Sequence, residues 1–289
     1  MTLREFYKNA SAVLIDSGVD NSDFEAAEII KSLMNIDSAA FLMYQNDEAD
    51  SDLCDKAMQM IQRRIDGEPL QYIIGEWDFL DLTFEVGRGV LIPRPETEEL
   101  CEFVVSKMSK MDKPVVFDLC SGSGCIGLSI KHRVPNADVY LIEYSDDALY
   151  YLNRNRERLG FARNTVAIKG DVLGGYEKFA FLPKPDVIIS NPPYIKTDEI
   201  AALQKEVTKE PFMALDGGED GLIFYRCFAE KWLDNLNENG FIAVECGEEQ
   251  ALCIASLFEK QCGEIQILKD FNDIERFVVA EKSNRKDNT

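Results

Sequence analysis

The sequence has one histidine, His132, in 289 residues, so neither a serine–histidine triad nor a histidine-rich metal site can be assembled from it. Its place near the end of an expected helix marks a surface residue, not a base. Paired thiol motifs are absent as well. The eight cysteines, at positions 54, 101, 120, 125, 227, 246, 253 and 262, form no C-x-x-C pair and sit mostly in apolar segments. They read as buried reduced thiols of a cytoplasmic protein, with no disulfide and no metal expected. No apolar run approaches the length of a membrane span, and Met1-Thr2-Leu3-Arg4-Glu5 opens a helix instead of a signal peptide. Positive charge is scarce: 31 lysines and arginines face 52 aspartates and glutamates, a net charge of −21. A surface of that sign repels phosphate backbones and anionic lipid, so neither a long nucleic-acid channel nor a membrane partner is expected.

What is present is 46% hydrophobic residues, enough for a substantial core, in a chain long enough for two domains. Thr2-Leu3-Arg4-Glu5 and Ser22-Asp23-Phe24-Glu25 both fit a capping box. Leu3, Phe6, Tyr7, Ala10, Val13 and Leu14 then repeat at helical spacing up to Gly18, and Ala26, Ala27, Ile30, Leu33 and Met34 form a second stripe. With a third helix from about Leu53 to Ile65, residues 1–70 read as a small helical bundle. Its acidic run from Asp47 to Asp55 reads as a solvated face or, less simply, a docking surface. Residues 71–94 change period: Trp77 and Phe79, then Leu82, Phe84 and Val86, alternate with acids as a hairpin turning near Asp81, a plausible linker. Arg94 follows between Pro93 and Pro95, placed either to stabilise the bend or to line a cleft.

Residues 95–283 open with a helix to about Met111 and then alternate strand and helix, the pattern of a parallel sheet with helices on both faces. Strands are expected near 115–119, 138–143, 165–169, 186–190 and 240–245, and helices near 124–133, 146–159, 220–235 and 249–260. Ile265–Leu268 and Arg276–Ala280 read as an antiparallel pair at the sheet edge. The chain turns polar from Glu281, and 284–289 is expected to be a disordered tail.

Two loops carry chemistry. Val115-Val116-Phe117-Asp118-Leu119 runs into Cys120-Ser121-Gly122-Ser123-Gly124, where glycines let a ligand approach the backbone at a helix N-terminus beyond the strand ends. Gly122, Gly124 and Gly127 also satisfy G-x-G-x-x-G, which admits a dinucleotide. Asp118 argues against a pyrophosphate, because a carboxylate in the turn suits an ammonium group. Glu143 at the next strand end suits ribose hydroxyls in either case, and Asp171 at the third can reach an adenine amino group. An ammonium, a ribose and an adenine together describe S-adenosylmethionine better than NAD. The second loop is Ser190-Asn191-Pro192-Pro193-Tyr194. The prolines end the strand and offer carbonyls without N–H groups. Asn191 Oδ1 and the Pro192 carbonyl can accept both hydrogens of a planar –NH2 group while Tyr194 packs on its plane.

With these loops the sequence resembles class I methyltransferases that modify a planar amide or amino nitrogen. Gly67-Glu68-Pro69-Leu70-Gln71-Tyr72-Ile73, Leu91-Ile92-Pro93-Arg94-Pro95-Glu96-Thr97-Glu98 and the stretch from Glu210-Pro211 to Gly221-Leu222 narrow the resemblance to the HemK/PrmC family, and it covers nearly the whole chain. The resemblance implies a Rossmann-like catalytic domain preceded by a helical domain that binds peptide chain release factors. It further implies methyl transfer from S-adenosylmethionine, leaving S-adenosylhomocysteine, to the glutamine of their Gly-Gly-Gln motif by a cytoplasmic monomer. By position, Cys120, Ser121, Gly122, Ser123, Gly124 and Glu143 would contact the cofactor, and Asn191, Pro192, Pro193 and Tyr194 the glutamine. Cys120 stands where the family usually has glycine, and Val172 where some members place an aromatic residue beside adenine. An adenine or cytosine amino-methyltransferase is the nearest rival, but this chain has no basic stripe. A non-catalytic sensor would need a degraded loop, and a dehydrogenase would find no hydride chemistry in Asn191–Tyr194.

Overall fold

The computed structural model describes residues 1–283; the expected tail, 284–289, lies outside the described residues. The chain forms two compact units, Met1–Glu76 with Gln204–Lys209, and Trp77–Leu203 with Glu210 onward.

The first unit is helical: α1 (Leu3–Asp16), α2 (Ser22–Met34), α3 (Ser38–Met43), α4 (Ser51–Ile65) and α5 (Leu70–Ile74). Thr2 and Glu5 form the expected reciprocal cap, with the Glu5 N–H donating to Thr2 Oγ1 and the Thr2 N–H to Glu5 Oε2. The second expected capping box does not form. Ser22 is already helical and its hydroxyl donates to the Val19 carbonyl, while Glu25 is drawn away to Arg64, whose Nε lies 2.6 Å from Glu25 Oε2. Asp37 and Asp50 cap α3 and α4 instead, accepting from the Ala40 and Leu53 N–H groups. Arg64 is nearly buried, and its Nη2 also reaches Glu206 Oε2 at 2.6 Å within the returning segment. The two carboxylates offset the cost of shielding this guanidinium from water.

The second unit begins with β1 (Glu76–Phe79) and β2 (Leu82–Glu85), the hairpin expected to be a linker. It is part of the fold instead: Phe79 and Phe84 are fully buried against Leu100, Cys101 and Val104 of α6 (Pro95–Met108). The alternation then follows as β3 (Val115–Leu119), α7 (Cys125–Arg133), β4 (Asp138–Glu143), α8 (Asp146–Arg158), β5 (Thr165–Lys169) and β6 (Val187–Ser190). After the short α9 (Phe212–Leu215) and α10 (Ile223–Lys231) come β7 (Phe241–Glu245), α11 (Ala251–Phe258), β8 (Cys262–Lys269) and β9 (Glu275–Lys282). The sheet has seven strands in the order β5-β4-β3-β6-β7-β9-β8. The first five are parallel and the last two antiparallel, with β9 paired to both β7 and β8.

The central strands β3, β6 and β7 are apolar runs because both sheet faces are covered there. On one face Phe117, Ile188 and Ile242 pack under Trp232, Phe228 and Ile254; on the other Val116, Leu141, Val187 and Ile189 pack under Val104 and Leu128. The strand order reverses beside β3, whose neighbours β4 and β6 both run parallel to it. A crevice must open at the carboxyl ends there, since the connecting chains leave in opposite directions. Leu119 pairs with Ser190, so both motif loops leave the sheet at the same level, and Ser190 Oγ donates to the Leu119 carbonyl at 2.6 Å.

Candidate functional site

At those carboxyl ends lies a cavity of about 410 Å³, entirely within the second unit. The glycine loop forms one wall. Gly122 and Gly124 both have positive φ, +55° and +83°, and Cys120 joins them at +59°. For a side-chain-bearing residue that left-handed conformation costs about 1–2 kcal/mol. The cysteine adopts the strained backbone instead of avoiding it. The helix that follows sits close on β3: a Cβ on Gly127 would lie 2.7 Å from Leu141 Cδ2 and 2.9 Å from Asp118 Oδ2.

Glu143 organises this wall. Its Oε2 accepts from the Gly122 N–H at 2.8 Å, and its Oε1 accepts from the Tyr144 and Ser145 N–H groups at 2.8 and 2.7 Å. Burial raises its pKa, and those three backbone donors oppose the rise. Oε1 has both lone pairs engaged, so Oε2 keeps the acceptor capacity for a ligand hydroxyl, and Glu143 lines the cavity. Asp171 lines it too, one oxygen accepting from the Leu173 N–H, with Val172 buried beside it. Ser123 is buried and lines the cavity. Asn155, fully buried on α8, fixes this loop to the hairpin: its Nδ2 donates to the Ser123 and Glu85 carbonyls, and its Oδ1 accepts from the Glu85 N–H.

Of the residues singled out in the sequence, Arg94, Cys120, Ser121, Gly122, Ser123, Glu143, Asp171, Val172, Asn191 and Pro193 line one cavity. Asp118, Gly124, Pro192 and Tyr194 do not. Asp118 is wholly buried beneath the loop, one oxygen accepting from the Gly127 N–H at 2.9 Å and the other unpartnered among the described residues. Burial pushes its carboxyl up to about 8. Wholly buried and outside the cavity lining, it does not reach a ligand there, and the expectation that it pairs with a ligand's ammonium group is corrected. The missing Cβ of Gly127 leaves room for it under the helix instead of in the cleft.

The opposite wall is the Asn191–Tyr194 loop, held by three anchors. Asn191 Nδ2 donates to Thr97 Oγ1 at 3.0 Å, and Thr97 Oγ1 donates to Glu245 Oε2 at 2.6 Å. Glu245 is buried, which raises its carboxyl to about 7. Gln250 ties the far end, donating from Nε2 to the Tyr194 carbonyl at 2.9 Å while its Oε1 accepts from the Gly247 N–H. The Tyr194 ring rests against Gly247, where an added Cβ would come within 3.3 Å of Cδ2. Finally, Ile195 pairs with the stretch around Asp216, and a Cβ on Gly217 would meet the Tyr194 Cα at 2.8 Å. This explains why the Asp216-Gly217-Gly218 turn is glycine-rich.

Arg94 does both things the sequence allowed. It lines the cavity, and its Nη2 is ion-paired with buried Glu210 Oε1, whose Oε2 accepts from the Ile92 N–H at 2.9 Å. Phe212 and Met213, both exposed by about half, also line the cavity. Thr97, Glu245, Gln250 and Asn155 escaped sequence reasoning as site-building residues. Thr97 and Glu245 lie 94 residues before and 54 residues after Asn191, so no local spacing joins them.

Residues 5–75 match the PrmC N-terminal domain family, and residues 96–221 the methyltransferase small domain family. A release factor glutamine methyltransferase from Thermodesulfovibrio yellowstonii is 39% identical over 263 residues, covering 90% of this chain and 92% of its own. One of the same name from Clostridium botulinum is 30% identical, covering 98% of this chain and 100% of its own. Among solved structures, the hMettl16 catalytic domain in complex with an RNA hairpin aligns with a TM-score of 0.54 at 13% identity, over 83% of this chain and 84% of that one. The T. thermophilus 16S rRNA N2 G1207 methyltransferase, solved with AdoMet and guanosine, aligns with a TM-score of 0.51 at 18% identity, over 72% and 50%. At such identities these two similarities establish a shared Rossmann-like methyltransferase sheet.

Proposed function

Because the chain belongs to the release factor glutamine methyltransferase family, we propose that its cavity binds S-adenosylmethionine next to the side-chain amide of a release factor glutamine. The reaction is S-adenosylmethionine-dependent methylation of that glutamine, in the Gly-Gly-Gln motif. The cofactor supplies a methyl already activated on a sulfonium. The protein's task is the poor nucleophile, since an amide nitrogen shares its lone pair with its carbonyl.

The observation that carries this reading is Asn191: it lines the cavity at the end of β6, opposite the glycine loop, with its Nδ2 already engaged by Thr97. Its Oδ1 is left as an acceptor for one amide hydrogen, and the Pro192 carbonyl is our candidate for the second. Acceptors at both hydrogens stabilise the positive charge that develops on nitrogen. Pro192 and Tyr194 lie outside the cavity lining and Pro192 is buried; their proposed roles rest on their place in the loop beside Asn191. Glu143 would hold ribose hydroxyls, Asp171 and Val172 the adenine, and Cys120 to Gly124 the amino-acid end. Arg94 keeps the loop before α6 in place and borders the substrate.

The helical first unit is our candidate for docking the release factor. Action as a monomer without bound nucleic acid is part of this proposal, and the net charge of −21 supports the second half of it. All eight cysteines are free, in keeping with a cytoplasmic location; among the described residues no helix is long and apolar enough to cross a membrane. Incubation with labelled S-adenosylmethionine and a recombinant release factor should label the factor but not its Gln→Ala variant at the Gly-Gly-Gln motif. Equal labelling of the two, or labelling of a duplex oligonucleotide instead, would overturn the assignment.

A further inference from the structure

The amide of asparagine can be held either way round, and only one way places an acceptor toward a substrate –NH2 group. Asn191 does not settle this alone, because its amide offers donors and an acceptor at nearly equal reach. The structure shows what does. Glu245, at the end of β7, is buried and carries acceptor oxygens, and one takes the hydroxyl hydrogen of Thr97 at 2.6 Å. Thr97 is 2% exposed; with Glu245 ionised, and so an acceptor only, the single Thr97 hydrogen is committed to it and a lone pair is left for Asn191. The partner facing that lone pair at 3.0 Å is Asn191 Nδ2. Reversing the Asn191 amide would bring two acceptors together in a water-poor place, at the cost of a lost hydrogen bond and a repulsive contact.

We infer that Thr97 and Glu245 are positioning residues that fix the orientation of the Asn191 amide and thereby make the site select an amide over a carboxylate. The inference rests on the functional reading above. It adds the source of discrimination between glutamine and its isosteric acid. A glutamate in the same place would direct oxygen at Asn191 Oδ1, and the locked amide could not turn to donate.

The test compares wild type, Thr97→Val and Thr97→Ser in the full chain. Each is assayed for methylation of a release factor and for competition by that factor's Gln→Glu variant. Calorimetry with S-adenosylmethionine and thermal unfolding accompany every variant. Thr97→Val should lower kcat about 10- to 100-fold, leave cofactor affinity within threefold, and let the Gln→Glu factor compete several-fold better than it does against wild type. Thr97→Ser, which keeps the hydroxyl, should restore both turnover and discrimination. Normal turnover in Thr97→Val overturns the inference. So does a slow variant with unchanged discrimination, since loss of stability alone would not alter selectivity between two isosteres. Should Thr97→Val fail to fold, asparagine-selective 15N labelling of wild type decides. The Asn191 side-chain N–H2 should exchange slowly, and fast exchange of both hydrogens overturns the inference. A wild type that methylates no release factor would bring down the functional reading itself, and this inference with it.

Discussion

The two walls of the cavity solve the same problem by opposite means. The glycine loop after β3 is shaped from within: three alternate positions, Cys120, Gly122 and Gly124, bend the backbone through positive φ, and the Gly122 N–H is turned onto the Glu143 carboxylate. The Asn191–Tyr194 loop after β6 contains two prolines and no residue with positive φ. Its shape is imposed from outside, by Ser190 on Leu119, Thr97 on Asn191, Gln250 on Tyr194 and the glycines of 217–221 packed against its backbone. A cofactor of fixed structure can be met by a wall made of main chain. A side chain delivered by a separate macromolecule needs a rigid platform with one precisely turned polar group, and that requires distant anchors.

The comparison is broken most severely at the second wall. Asn191→Ala should reduce turnover about 10²- to 10³-fold, the scale of losing one preorganised polar contact at a reacting group, while calorimetry finds the cofactor bound nearly as before. Near-normal turnover would mean that the platform's asparagine is not its working part. At the first wall, Glu143→Gln should weaken cofactor binding about tenfold or more, because one amide oxygen cannot replace a carboxylate serving three N–H groups and a ligand; turnover at saturating cofactor should change far less. The two variants thus separate kcat from cofactor affinity.

A third experiment concerns what lies beneath the first wall. Asp118 holds its proton in the folded chain up to about pH 8 but releases it near 4 when unfolded. The folded state therefore binds more protons across that interval, so its stability falls as pH rises from about 4 to 8. Asp118→Asn removes this titration. In urea unfolding at pH 5 and pH 8, the variant should gain on wild type at the higher pH, and a pH-independent difference would refute the buried neutral carboxyl. The smallest effect belongs to Cys120→Gly. Relief of about 1 kcal/mol of backbone strain is offset by glycine's greater unfolded-state freedom, so unfolding should shift by less than about 1 kcal/mol.

How much of this could be read in advance follows from the same contrast. Strand and helix periods in 95–283 were legible because the central strands β3, β6 and β7 are covered on both faces and read as plain apolar runs. The glycine loop was legible because positive φ leaves its mark on the sequence. The short α3 and α5 were not, since five or six residues show no period, and α6 and α10 end before the expected boundaries, at Met108 and Lys231. Ser22 looked like a cap but was not one, because Arg64 offers Glu25 a better partner than the helix end does. Asp118 was placed on the wrong side of its loop for a related reason: alternation gives two directions, and only Gly127's missing Cβ shows which has room. Thr97, Glu245, Gln250 and Asn155 act through hydrogen bonds between residues far apart in the chain. Sequence order carries no trace of such bonds.

The strand order has a consequence for biosynthesis. Because β9 is threaded between β7 and β8, a nascent chain that has not yet extended through residue 282 leaves the edge of β7 open, right where Glu245 must be sealed from water. The wall that holds Asn191 through Thr97 and Glu245 therefore depends on the final strand for its seal.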